Sequence, residues 1–236
     1  RNILPIPPQT PLLSIDPPLL LSAPSHTPTS PSPSSPRSRR FETALPKRMA
    51  EVTGILLAAG SAVRFGSNKL LHPLPGGTPV AVQAAQRLAE VLPDCIAVTR
   101  PDDESLRDAL AATGLGIIDN PFASEGMGTS LARGVLATRD ASGWIIALAD
   151  MPWIEPATLC AVAARLRQGA SMAAPSHAGH RGHPVGFSSD WREELCGLSG
   201  DAGARRLIEA HPQALELIET ADPGIFRDID YRHDLP

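Results

Sequence analysis

The chain is short of several features that would place it elsewhere. Of its 236 residues only three are cysteine, Cys95, Cys160 and Cys196. They are odd in number, far apart and in no C-x-x-C pair. That excludes a disulfide framework and a cysteine zinc site, and it fits a reducing cytoplasm. No apolar run approaches bilayer length, so no segment is expected to span a membrane. An excess of positive charge is also missing. Residues 1–48 carry six Lys/Arg and two Asp/Glu, which contributes +4 to the overall −4 and leaves −8 for the rest. An acidic body argues against a nucleic-acid surface, which needs a basic stripe. Any polyanion must be held locally.

The first 48 residues differ in kind from the rest of the chain. They hold about half of the 25 prolines, many serines and no proline-free apolar run, so they cannot form a packed core. "PLLSIDPPLLLSAP" is apolar enough to suggest a secretory signal, but prolines break its hydrophobic region and no small-residue cleavage site comes cleanly after it. Richness in Ser and Arg with few acids also gives a transit peptide a hearing. The reading adopted takes Met49, just ahead of the first strand, as the natural start. Residues 1–48 are then a disordered Pro/Ser-rich tail that is not native, and residues 49–236 are one cytoplasmic α/β domain able to bury its own core.

Within that domain strand-like and helix-like segments alternate. "VTGILLA" (52–58), "CIAVT" (95–99), "LGIID" (115–119) and "WIIALA" (144–149) are the short apolar runs expected of strands covered on both faces. Apolar residues recur at helical spacing over 78–91, 102–112, 127–138 and 156–168, with Thr78 expected as an N-cap ahead of Pro79. The alternation implies a mainly parallel sheet with right-handed crossovers. Beyond residue 170 the pattern loosens. "SMAAP" and "HPVGF" read as short strands or loops, 188–196 and 203–210 as helices, and "ALELIE" as a late strand.

Ligands of such sheets collect at the carboxyl ends of the strands. There, "GILLAAGSAVRFGSNKLL" (54–71) closes the first strand with Gly60, where a backbone without Cβ admits a ligand closely. Arg64 and Lys69 come next, a guanidinium fork and a point charge suited to phosphate oxygens. Taken alone, the loop fits equally well a connection with solvated cations. It is neither a G-x-G-x-x-G fingerprint nor a G-x-x-x-x-G-K-[ST] loop.

"LAAGSAVRFGSNKLL" resembles the signature of the MobA-like nucleotidyltransferases. "NPFASEGMGTSLARGV" (120–135), "ALADMPWI" (147–154), "RGHPVGF" (181–187), "LSGDAGAR" (198–205) and "RDIDYRHDL" (227–235) succeed it in the family's order. Within the family, the chain is most similar to the molybdenum cofactor cytidylyltransferases and the accessory proteins of molybdenum hydroxylases such as xanthine dehydrogenase. The resemblance implies a Rossmann-like three-layer α/β sandwich of the nucleotide-diphospho-sugar transferase type, with a mixed, mostly parallel sheet. It also implies attack of a substrate phosphate on the α-phosphorus of a nucleoside triphosphate, with pyrophosphate leaving. Positioning and charge neutralisation supply most of the acceleration in such transfers.

On this resemblance Arg64 and Lys69 hold the triphosphate, and backbone around Leu57, Ala58, Ala59 and Gly60 lines the nucleotide. Asp150, ending the fourth strand, is the expected Mg²⁺ ligand, with a helix cap as its plainer alternative. A second carboxylate comes from "DID". Asp228 and Asp230 would share a face if extended, and the family motif favours Asp230, although Tyr231-Arg232 replaces the usual Thr-Pro. Gly128, Thr129 and Ser130 are candidates to read the base, or Thr129 or Ser130 caps the helix. Ala59, where guanylyltransferases tend to have glycine, narrows the pocket and favours CTP over GTP. Arg181 and His183 are expected near the acceptor. Asp201 is expected as a helix N-cap or polar contact there. His177, His180 and His183 tempt a zinc reading, but no local Cys or carboxylate completes the set. The expected reaction joins CTP to a molybdopterin-type cofactor, with a molybdenum hydroxylase as a candidate partner. A GTP-dependent or sugar-phosphate nucleotidyltransferase and a non-catalytic cofactor carrier are the alternatives.

Overall fold

A computed structural model of the chain describes residues 51–60 and 68–235. The expectations for residues 1–48 and for Arg64 lie outside the described residues.

Four apolar runs become the parallel half of a sheet: β1 (Val52–Leu57), β2 (Cys95–Thr99), β3 (Gly116–Asp119) and β4 (Gly143–Leu148). After them come β5 (Met172–His177), β6 (His180–Arg181), β7 (Val185–Ser188) and β8 (Leu215–Glu219). The described residues thus form one eight-stranded sheet in the order β3-β2-β1-β4-β7-β5, with β6 and β8 both pairing β5. β1, β2, β3 and β4 run parallel, β7 is antiparallel to β4 and β5, and β8 is parallel to β5. β8 occupies one edge of β5 over Met172–Ser176, so β6 and β7 share the other edge. Between them the ladder is interrupted at Gly182–Pro184, where the His183–Pro184 peptide is cis.

Both faces of the sheet are covered, which gives three layers. Helices α1 (Val80–Val91), α2 (Glu104–Ala111) and α4 (Pro156–Arg167) pack on one face. Helices α3 (Met127–Ala137), α5 (Arg192–Cys196) and α6 (Arg205–Ala210) pack on the other. The period-two alternation of β1 sends Val52, Leu56 and Ala58 into the first cluster and Ile55 and Leu57 into the second. Ile55 and Leu56 are fully buried, and burial of each such side chain contributes about 1.5–3 kcal/mol.

Two expected caps are corrected. Helix α1 begins at Val80 with Pro79 in the N-cap position, so Thr78 does not cap it; the Pro73–Pro79 bridge holds that entry extended instead. Helix α6 begins at Arg205 with Ala204 as its cap, because residues 199–204 form turns rather than helix, so Asp201 is not an N-cap. No helix among the described residues is long and apolar enough to cross a membrane.

Candidate active site

The sheet register decides what meets at the carboxyl edge. Leu57 lies level with Val98 of β2 and Leu148 of β4. The ladders run one residue further, through Ala58 N–H to Val98 O (2.9 Å) and Ala149 N–H to Leu57 O (3.1 Å). Just beyond, three neighbouring chains emerge side by side at Ala59, Arg100 and Asp150.

Asp150 sits in the turn after β4, and its carbonyl accepts from Ile229 N–H at 3.0 Å, which clips the C-terminal segment to the strand end. Lys69 approaches from the other side on a one-turn 3-10 helix, Lys69–Leu71. That turn is anchored by buried Leu70 and capped by Asn68, whose side chain accepts from Leu70 N–H and donates to Asp103 at 2.8 Å. The outcome is a bridge. Lys69 Nζ donates to Asp150 Oδ2 at 2.8 Å and to Asp230 Oδ1 at 3.1 Å. Burial alone would lower the Lys69 pKa, but the two carboxylates outweigh it and hold the ammonium above its usual 10.5. Residues assigned from sequence to the triphosphate and to a metal thus form a single cluster.

Asp228 is more exposed and belongs to the same field. Partial burial first, then the nearby Asp150 and Asp230 charges, raise its pKa above 3.8. Asp234 orders this segment by accepting the N–H groups of Asp230 (2.9 Å) and Tyr231 (2.6 Å).

A cleft of about 710 Å³ opens beside the cluster, lined by Leu57, Ala59, Gly60, Arg100, Ser130 and Asp150 among others. At Gly60 an added Cβ would meet nothing within 4 Å among the described residues, so their packing does not demand glycine there. Ala58, by contrast, turns its side chain into the core. Arg100 was not singled out from the sequence; only the register of β2 against β1 brings it here.

The three base-reading candidates separate. Ser130 lines the cleft. Thr129 spends its hydroxyl on the carbonyls of Gly126 (2.8 Å) and Phe122 (2.9 Å), and α3 is capped by Gly126 rather than by Thr129 or Ser130. Gly128 packs against the next loop, where a Cβ would lie 2.8 Å from the Ser199 backbone. Asn120, fully buried and missed from sequence, organises the group. Its Nδ2 donates to Thr129 Oγ1 (3.0 Å) and Ser130 Oγ (2.9 Å), while its Oδ1 accepts from Phe122 N–H (3.0 Å).

A second cleft, of about 570 Å³, adjoins the first and shares Leu57, Met127, Leu148 and Asp201 with it. Its floor is apolar (Ile146, Val185, Phe187, Ile208), and Arg181 and His183 stand on its wall. The interruption between β6 and β7 places them there, held by Gly182 N–H to Pro175 O (2.8 Å) and His183 N–H to Ile225 O (3.0 Å). Burial, then the neighbouring Arg205, lower the Arg181 pKa, and no carboxylate among the described residues reaches ion-pair distance of it. Burial, then Arg181, also lower the pKa of His183, whose buried Nδ1 has no hydrogen-bond partner among the described residues. A third depression, of about 510 Å³ around Glu51, Thr53 and Asp94, lies at the opposite ends of the strands, away from this cluster.

The donor set suits a hard divalent cation. Two carboxylate oxygens from separate elements already converge on one cationic atom, and phosphates and waters complete such a shell for Mg²⁺. Among the described residues no group of three or more His, Cys, Asp or Glu is placed to hold a metal ion.

Comparison with known proteins agrees with this architecture. Nicotine blue oxidoreductase of Paenarthrobacter nicotinovorans is 30% identical over 187 residues, covering 76% of this chain and 92% of that protein. Purine catabolism protein PucB of Bacillus subtilis (strain 168) is 32% identical over 197 residues, covering 78% and 93%. The Rv0371c homologue from Mycobacterium sp. strain JC1 superposes with a TM-score of 0.66 at 29% identity, covering 78% and 92%. A nucleotidyl transferase from Methanothermobacter shares the fold with a TM-score of 0.67 at 22% identity, covering 78% and 94%. Residues 54–215 match the family model described as the MobA-like NTP transferase domain, and the chain belongs to that family of nucleotidyltransferases.

Proposed function

We propose that the chain transfers CMP from CTP to the phosphate of a molybdopterin-type acceptor, releasing pyrophosphate. The observation that carries this reading is the Lys69–Asp150–Asp230 cluster, whose Asp150 lines one cleft that adjoins a second. Nucleotide and acceptor would occupy the two clefts. An acceptor phosphate oxygen forms the new bond to the α-phosphorus, and the bond to the bridging oxygen breaks with its electron pair leaving on pyrophosphate. Lys69 and Arg64 steady the triphosphate, and the half-buried Arg181, which has no ion pair among the described residues, binds the acceptor's anion. Asp150 and Asp230 would hold Mg²⁺, which supplies charge neutralisation on the phosphates. Ala59, on the wall of the first cleft, favours the smaller base.

One comparison favours a second reading. A relative 30% identical over nearly its whole length is called an oxidoreductase, so a redox reaction on the apolar floor of the second cleft is the rival.

The test is pyrophosphate release from each nucleoside triphosphate in the presence of Mg²⁺ and molybdopterin. CTP should be the best substrate, and Asp150→Asn should slow turnover by about a hundredfold or more. Faster turnover with GTP would overturn the base assignment. Redox turnover of nicotine blue, with no pyrophosphate from any triphosphate, would replace this reading by the rival. Tight cofactor binding with neither activity would make the chain a carrier.

A further inference from the structure

We propose that Lys69 occupies the position a divalent cation takes between Asp150 and Asp230, so that the metal enters with the nucleotide and not before it. The proposal rests on the metal-dependent reading of the site and adds an order of binding to it. Lys69 Nζ lies 2.8 Å from Asp150 Oδ2 and 3.1 Å from Asp230 Oδ1. Metal–oxygen bonds are shorter still, about 2.0–2.1 Å for Mg²⁺. An ammonium and a dication therefore cannot share these two oxygens: they would sit side by side as like charges in a partly buried site.

Of the three side chains, Lys69 is the most enclosed, at 13% exposed against 24% for Asp150 and 42% for Asp230. Its ammonium is thus held in place until something stronger draws it out. The phosphates of a nucleotide do so. They offer Lys69 a new anionic partner, bring the cation with them and break the Lys69 contacts to Asp150 and Asp230. The result is positive coupling between metal and nucleotide, reciprocal by thermodynamic necessity.

The experiment uses the full chain and Mn²⁺ as the probe, with free Mn²⁺ measured by electron paramagnetic resonance. Without nucleotide, wild type should bind Mn²⁺ weakly and Lys69→Met should bind it about tenfold more tightly or better. The double variant Lys69→Met with Asp150→Asn should lose that gain. A Lys69→Met protein that binds no more tightly than wild type would overturn the proposal, as would a gain that survives Asp150→Asn. A second measurement needs no variant. Mn²⁺ with a non-hydrolysable CTP analogue should raise the wild-type melting temperature by more than the sum of the two added singly. A purely additive shift would also overturn it. The Mn²⁺ titration involves neither turnover nor acceptor, so its failure is distinguishable from failure to release pyrophosphate.

Discussion

His183, in the second cleft, and Lys69, bonded to Asp150 beside the first, are under opposite electrostatic constraints. Lys69 keeps its charge because two carboxylates outweigh its burial. His183 has the reverse balance, since burial and then Arg181 disfavour its cation more than Asp150 favours it. That shift has a consequence for stability. With its folded pKa below the unfolded value of 6.5, His183 resists a proton that the unfolded chain takes up as pH falls through 6.5. Stability from this residue is therefore complete above that pH and declines below it. His183→Gln should flatten this part of the curve. The check is denaturant unfolding of both proteins at pH 7 and about one unit below 6.5. An equal loss in the two proteins would remove His183 as the source.

Two elements do more to shape the site than their length suggests. The 3-10 turn Lys69–Leu71 aims one ammonium by burying the next side chain. The start of α3 does its work through missing side chains. Gly126 has φ +112°, a conformation that favours glycine, and an added Cβ would land on the Gly200 backbone. At Gly128 the Cβ would meet the Ser199 backbone, which has no flexible end to move aside. The close approach is also bonded, Gly128 N–H donating to Gly200 O at 2.8 Å. Gly128→Ala should therefore destabilise the protein by about 1–3 kcal/mol, read as a lowered melting temperature. It should weaken nucleotide binding through displacement of Ser130. A variant as stable as its parent, with binding lost, would instead place Gly128 in contact with the base.

Over the whole molecule, the two core clusters of the described residues are built from positions 52–235 and cover both faces of one sheet. Removal of residues 1–48 should then leave melting temperature and turnover unchanged, given their composition. A fall of several degrees, about 1 kcal/mol for a domain of this size, would show that the boundary at Met49 is misplaced. The sequence by itself determined the layered α/β architecture. Its apolar runs are short, continuous and separated by helical spacing, a pattern carried by neighbouring residues. The strands 52–58, 95–99, 115–119 and 144–149 accordingly reappear within one residue of their expected ends. Motif resemblance likewise reached Lys69, Asp150 and Asp230 because each lies in a recognisable local phrase. Tertiary structure alone decided their partnership, since Lys69 and Asp230 are 161 residues apart and meet where Ile229 N–H is clipped to Asp150 O. It alone brought Arg100 beside Asp150, buried Asn120 beneath Thr129 and Ser130, and turned Asp201 from a cap into a wall shared by two clefts. Those roles depend on strand register and on backbone approach between distant segments, and spacing along the chain carries neither.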